Sequence, residues 1–396
     1  MNSTTRFYRN FKKATLTGCL TLSLTASGIF SGAAFAGPAD DPVISTQPVG
    51  PGQGPGQTAP GQPVQPTQPV YINPQYYELG LTNPIVNPVD KYSYEQMEYD
   101  MVALATRYPG RVTIAAIGQS WDGRTIYDFI IGNPNAKKKI LFQGAIHARE
   151  YVTVPIMMQQ MEYLLAFYDS GFYNDKALSA MMSDVAFHFV PMSNPDGVAL
   201  SQFGEGAIRS QDLRTMIQTC YAMDVAEGRT SYTYDQYLSR WKSNAYGVDL
   251  NHNFDAGWAS LTGTTRNAGS DYRGTAPLSE PEAQALANLV NQQNFSAVIN
   301  YHSMGRVIYW DTLNNQQAAA SLGLAQSVSA FNGYQILSSK GVGGLKDWLQ
   351  QRSNPVAGIT IEVGRSAAPV PFSEYPSIWE QNRAIPGIIL DYVLQY

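Results

Sequence analysis

The sequence predicts an α/β domain with a mixed, mostly parallel central sheet flanked by helices. Three observations point there. Strand-like runs alternate with helical patterns from about residue 91 to the C-terminus. Several of the strand runs are continuously apolar, as strands covered on both faces are. Scarce, chemically capable residues fall just beyond the ends of those runs, where open α/β sheets place their sites.

Taken in order, Ser93 and Gln96 form a capping pair at a helix start. Met97, Met101, Leu104, Ala105 and Tyr108 then recur at helical spacing, and Pro109-Gly110 stops the helix. Strands are expected over 112–117 and 125–131, around the turn at Asp122-Gly123. A buried strand follows over 139–145, a Met- and Leu-rich helix over 151–168 and an apolar strand over 185–190. Ser279 and Glu282 read as a second capping box, opening a helix that runs through Val290. The remaining expectations are a strand over 295–301, a helix over 318–331, a strand over 358–363 and one closing helix over 378–394.

The N-terminal part reads differently. Arg6, Arg9, Lys12 and Lys13 precede an apolar stretch, and Ala34-Phe35-Ala36 fits a small-x-small cleavage site. Residues 1–36 are thus expected to be a secretory signal peptide, with no stable membrane insertion after cleavage. The formal charge of −5, less the four positive charges of that segment, leaves −9. An acidic balance excludes nucleic acid as a partner, because phosphate binding needs a basic surface. Residues 37–70 hold nine prolines and six glycines, the composition of an extended, solvated linker. Residues 71–90 read as an extension leading into a folded domain over 91–396. Signal removal leaves Cys220 without a partner, so the core and not a disulfide must supply stability. A monomer is the default expectation.

The chain has four histidines. His188 lies inside an apolar strand and reads as a core residue. His147-Ala148-Arg149-Glu150 follows a strand, and its His-x-x-Glu spacing lets an imidazole and a carboxylate reach one ion. On the tetrapeptide alone, a surface pair at a helix start fits equally well. His302 ends another strand and can complete a two-histidine, one-carboxylate set with a position left open for water.

Further segments follow in order: Ser193-Asn194-Pro195-Asp196-Gly197, Gly247-Val248-Asp249-Leu250-Asn251-His252-Asn253-Phe254, Asn300-Tyr301-His302-Ser303 and Thr360-Ile361-Glu362-Val363-Gly364. From about Tyr92 onward this series resembles the zinc metallocarboxypeptidase family. The resemblance implies one zinc ion per chain held by His147, Glu150 and His302. It makes Glu362 the general base and Asp249 the carboxylate that orients a ligand histidine. Lys242 stands where the family carries an oxyanion-stabilising arginine, and Arg149 becomes a substrate contact.

Departures refine the expectation. Asn251-His252 replaces an Asn-Arg pair whose guanidinium grips a free C-terminal carboxylate, and an imidazole offers no such fork. No tyrosine stands at Ser339 or Lys340, where the family has a mobile one. Lys346 occupies the specificity position and suits an acidic or zwitterionic side chain. With Gly343-Gly344-Leu345-Lys346-Asp347-Trp348, these features are similar to the bacterial branch acting on peptidoglycan stem peptides. That branch cuts between γ-D-glutamate and an L-diamino acid, which places the enzyme outside the cytoplasm, secreted or associated with the cell wall. Two other readings share the motifs: a secreted general carboxypeptidase, and a wall-binding module without activity. Glu362 speaks against the second, since a binding module needs no base.

Overall fold

The computed structural model describes residues 73–339 and 341–396. The expected signal peptide and linker lie outside them. No helix among the described residues is long and apolar enough to cross a membrane.

The helices are α1 (Tyr94–Arg107), α2 (Thr153–Ala166), α3 (Leu178–Met181), α4 (Pro195–Phe203), α5 (Gln211–Ala226), α6 (Tyr234–Ser239), α7 (Pro281–Gln292), α8 (Ala318–Asn332), α9 (Leu345–Gln351), α10 (Tyr375–Asn382) and α11 (Ile385–Gln395). The strands are β1 (Val112–Gln119), β2 (Thr125–Ile131), β3 (Lys138–Gln143), β4 (Phe172–Tyr173), β5 (Lys176–Ala177), β6 (Val185–Val190), β7 (Ala297–His302), β8 (Val307–Tyr309), β9 (Gln335–Leu337) and β10 (Gly358–Glu362). Eight strands form one sheet in the order β1-β2-β6-β3-β7-β10-β8-β9. Its centre, β6-β3-β7-β10, is parallel, while β1-β2, β2-β6 and β10-β8 pair antiparallel.

Strand alternation sends neighbouring side chains to opposite faces. Ile140 and Phe142 join the core under α1, α2, α8, α10 and α11, whereas Leu141 joins the one under α7 and α9. Phe142 stacks on Phe189 at 5.1 Å between ring centres. A third cluster, built from α4–α6 and the Trp241 loop, packs against Ala148.

One polar row crosses this apolar sheet. Gln143 Nε2 donates to Asn300 Oδ1 (3.0 Å), Ser193 Oγ donates to Gln143 Oε1 (3.0 Å) and Asn300 Nδ2 donates to the Ile359 carbonyl (3.0 Å). All three side chains are buried and satisfied, which makes the pairing of β3 with β7 specific.

The extension packs into the domain. Tyr76, Tyr77 and Val86 are buried in the larger core, and the backbone N–H groups of Ile85 and Val86 donate to the Glu162 carboxylate on α2.

Three local expectations change. Ser93 Oγ accepts from Gln96 N (3.1 Å), but the reciprocal half of that capping box does not form. Ser279 does not cap α7: its hydroxyl donates to Glu280, which is the N-cap residue, and Glu282 instead accepts from Trp121 N and Asn244 Nδ2. The closing segment is two helices. They break at Arg383-Ala384, with Pro386 in the first turn of α11, where its missing N–H costs nothing.

Candidate metal centre

The ligand-bearing loop is shaped immediately after β3. Ala145 takes φ +50°, a conformation that costs a non-glycine residue about 1 kcal/mol or more. Hydrogen bonds from Ala145 N to Thr153 Oγ1 (3.0 Å) and from Asn194 N to the Ala145 carbonyl (3.1 Å) hold it there. The Asn194 side chain also donates to the carbonyls of Ile146 (3.1 Å) and Ser243 (3.0 Å), so one buried amide ties the His147 loop to the Lys242 loop. Gly197 makes this possible, because a Cβ there would lie 2.6 Å from both the Asn194 side chain and the Ser243 carbonyl.

His147 precedes a single turn of 3-10 helix, Ala148–Glu150, that ends on Glu150, and His302 ends β7. Their donor atoms converge. His147 Nδ1 lies 2.8 Å from Glu150 Oε1, His302 Nδ1 lies 3.0 Å from Glu150 Oε2, and the two Nδ1 atoms are 3.1 Å apart. Tetrahedral zinc with bonds of about 2.0–2.1 Å places its ligand atoms roughly 3.3 Å apart, so the donor set fits. A cation between the two imidazole nitrogens and the carboxylate would satisfy all three at once. All three residues are buried. Burial alone would raise the Glu150 carboxyl, yet the two facing imidazoles hold it well below the usual carboxylate range.

Asp249 lies behind this set, fully buried. Its Oδ1 is 3.3 Å from His147 Nε2, and its Oδ2 is 3.2 Å from Lys242 Nζ and 3.8 Å from His252 Nδ1. Burial opposes its ionisation, but Lys242 and the neighbouring imidazoles hold the carboxyl well below its ordinary value. With Nδ1 of His147 turned to the metal position, its Nε2 carries the proton and faces Asp249.

Glu362 ends β10 directly opposite His302 in the parallel register. Burial pushes its carboxyl up to about 8, against the pull of His302. Lys242 rises from its ordinary value despite burial because Asp249 and Asp271 attract its proton.

The other expected site residues take defined places. Asn251 Oδ1 accepts from Leu345 N (3.2 Å), which joins the His252 loop to the start of α9. The His252 imidazole is driven down by burial, and its buried Nδ1 has no hydrogen-bond partner. Lys346 is buried and already paired: Nζ lies 2.6 Å from Asp347 Oδ1 and donates to the Asp311 carbonyl. Arg149 forms no hydrogen bond or ion pair among the described residues, and its Nε is buried without a partner. Tyr334, near the family's mobile tyrosine in sequence, is buried with its hydroxyl bonded to Gln381.

His188 bonds Asp128 through Nδ1 at 2.7 Å inside the core. Burial pushes the Cys220 thiol up to about 12, which leaves no thiolate at neutral pH. Asn194, Gln143 and Asn300 were not among the expected site residues. The Ser-Asn-Pro-Asp-Gly segment is the signal that could have pointed to Asn194.

Comparison with known proteins agrees with this geometry. A family model described as zinc carboxypeptidase matches residues 97–385. Gamma-D-glutamyl-L-diamino acid endopeptidase 1 of Lysinibacillus sphaericus is 34% identical over 310 residues, covering 77% of this chain and 74% of that protein. Carboxypeptidase O of Bos taurus is 25% identical over 275 residues, 64% of this chain and 65% of its own. Among solved structures, thrombin activatable fibrinolysis inhibitor superposes with a TM-score of 0.61 at 18% identity, covering 79% of this chain and 77% of its own. Carboxypeptidase A from Helicoverpa armigera gives 0.57 at 19% identity, covering 79% and 76%. At such identities the structural likeness speaks for the fold.

Proposed function

Since the chain belongs to the zinc carboxypeptidase family and is a metallopeptidase, we propose that it hydrolyses peptidoglycan stem peptides between γ-D-glutamate and the L-diamino acid. The observation that carries the reading is the Asn251-His252 pair. Asn251 spends its carbonyl on Leu345 N, and His252 is a half-buried imidazole whose charged form burial disfavours. Neither supplies the planar, permanently charged fork that selects a free C-terminal carboxylate. A substrate whose chain continues past the diamino acid needs no such fork. The relative from Lysinibacillus sphaericus, named for that bond, supports the same substrate. Export through residues 1–36, a spacer over 37–70 and action at the cell wall belong to this proposal.

The mechanism follows from the residues. His147, Glu150 and His302 would hold zinc, which when bound supplies Lewis acidity toward water and the scissile carbonyl. Glu362 takes a proton from the attacking water and returns it to the departing amine of the diamino acid. The water oxygen bonds to the γ-carbonyl carbon, the C–N bond breaks, and D-glutamate keeps the new carboxylate. Lys242 is the cation for the developing oxyanion, and Asp249 fixes both Lys242 and the His147 ring. Removing water from such a site strengthens each of these interactions.

Mass spectrometry of defined peptides tests the proposal. L-Ala-γ-D-Glu-diaminopimelate, with and without a following D-Ala, is incubated with zinc-loaded protein beside an ordinary peptide with a free C-terminus. Cleavage at the γ-D-Glu bond is expected, and the D-Ala pair separates endopeptidase from carboxypeptidase action. Cleavage of the ordinary peptide alone overturns the substrate.

A further inference from the structure

Lys242, Lys346 and Arg124 each have a carboxylate partner within the protein. Lys242 is paired with Asp249 at 3.2 Å, Lys346 with Asp347 at 2.6 Å, and Arg124 with Asp122 and Asp196 at 2.9 and 2.8 Å. Arg149 is different. It sits on the turn between two metal ligands, its Nε is buried, and no acceptor among the described residues meets its guanidinium. Its charge is near enough to act on both Glu362 and Lys242. A buried donor without an acceptor is costly, and a charged one more so. An anion brought by the substrate relieves that cost, and a carboxylate matches the guanidinium fork.

The γ-linkage supplies such a group. Glutamate joined through its side-chain carbonyl keeps its α-carboxylate free, four bonds from the carbonyl carbon under attack, or roughly 5 Å in an extended chain. An α-linked residue other than glutamate carries no anion at that distance, because its α-carboxyl is the scissile group itself. We infer that Arg149 binds the free α-carboxylate of the γ-linked D-glutamate and is the residue by which this enzyme favours a stem peptide over a peptide with no carboxylate at that distance. The inference rests on the stem-peptide reading above. It also makes the enzyme sensitive to a chemical change in its substrate, since amidation of that carboxyl removes the charge and leaves the scissile bond untouched.

The experiment compares kcat/KM on L-Ala-γ-D-Glu-diaminopimelate-D-Ala and on the same peptide with the α-carboxyl amidated. The zinc-loaded wild type and Arg149→Gln are both used, with zinc content and melting temperature recorded for each. The wild type should favour the free carboxylate by about 10- to 100-fold, the range for a charge-assisted pair. Arg149→Gln should lose that factor on the carboxylate peptide, change little on the amide and so erase the preference. Equal wild-type rates on both peptides overturn the inference without any variant, and an equal loss on both in Arg149→Gln overturns it too. If neither stem peptide is cut while ordinary peptides are, the stem-peptide reading falls, a result distinct from either of those.

Discussion

Asp249→Asn removes one charge, keeps the side-chain shape and acts on two partners at once. Asp249 Oδ1 faces His147 Nε2 at 3.3 Å and accepts from Asn251 N at 3.2 Å, while Oδ2 faces Lys242 Nζ at 3.2 Å. An asparagine has one acceptor and one donor end, so its NH2 must point at a donor on one side or the other. If the His147 side loses its acceptor, the ring is no longer held in the tautomer that presents Nδ1 to the metal. Loss of such an outer partner typically costs 10- to 100-fold in metal affinity, or about 1.4–2.7 kcal/mol. Lys242 also loses its counter-charge. Breaking a fully buried pair costs about 3–5 kcal/mol, and the 19% exposure of the Lys242 side chain places this one lower, near 2 kcal/mol. A competitive chelator titration measures zinc affinity, and thermal unfolding with and without zinc measures stability. The second substitution, Lys242→Met, separates the effects: the double variant should recover stability while its zinc affinity stays low. Because the Asp249 carboxyl is held below its ordinary value, the stability it contributes is present above about pH 4 and disappears as the pH falls through the native value. The variant and wild type should therefore converge in acid. A zinc affinity unchanged within twofold would refute the idea that Asp249 orients His147.

Glu362→Gln should bind zinc normally and lose about 10²–10⁴-fold in kcat, and a rate equal to wild type with full metal content would remove Glu362 from the base role. Lys346→Ala tests whether the Lys346–Asp347 pair meets the zwitterionic end of diaminopimelate. A loss in kcat/KM larger for diaminopimelate than for lysine peptides is expected, and equal losses would leave Lys346 as a prop for the Asp311 turn. Glu282, pushed up to about 8 by burial and by Asp196, keeps in the folded state a proton that the unfolded chain releases near pH 4–5. Its contribution to stability therefore declines as the pH rises from there to about 8 and is flat beyond. Melting temperatures of Glu282→Gln across this range should show a shallower decline than wild type, and parallel curves would discard the assignment.

Much of the fold was legible because local pattern and tertiary structure agree. The runs 125–131 and 185–190 are strands to the residue, since each is a short, mostly apolar and β-prone run. The candidate metal site was legible because its two histidines are scarce and because the ordered motifs around them resemble a known family. What escaped the sequence is what long-range contacts decide. Ser279 loses its capping role because Glu280 and Glu282 are drawn to Asn244 and Trp121, residues far away in the chain. The short strands β8 and β9 carry too few residues to show a period. The helices α4–α6 form a small core of their own around Trp241, and only their first turn coincided with a noticed motif. Nothing in the sequence tells that Lys346 is neutralised within the protein while Arg149 is not, because that depends on which carboxylates the fold brings near each of them.

The hydrogen bond between Gln143 and Asn300 bears on how this catalyst can be altered. The two amides lie on neighbouring strands, and each strand leads, a few residues on, to a metal ligand. Replacing both with leucine would save the cost of desolvating two amides and suit the surrounding core. It would also remove what rejects a slip of β3 against β7. A displacement of one residue there, about 3.3 Å, exceeds the whole spacing between the histidine nitrogens. An engineer who selects variants of this protein for heat resistance alone should therefore expect to collect sturdier proteins that no longer load zinc. Screening for bound metal beside thermal tolerance would keep this pair in the sequence.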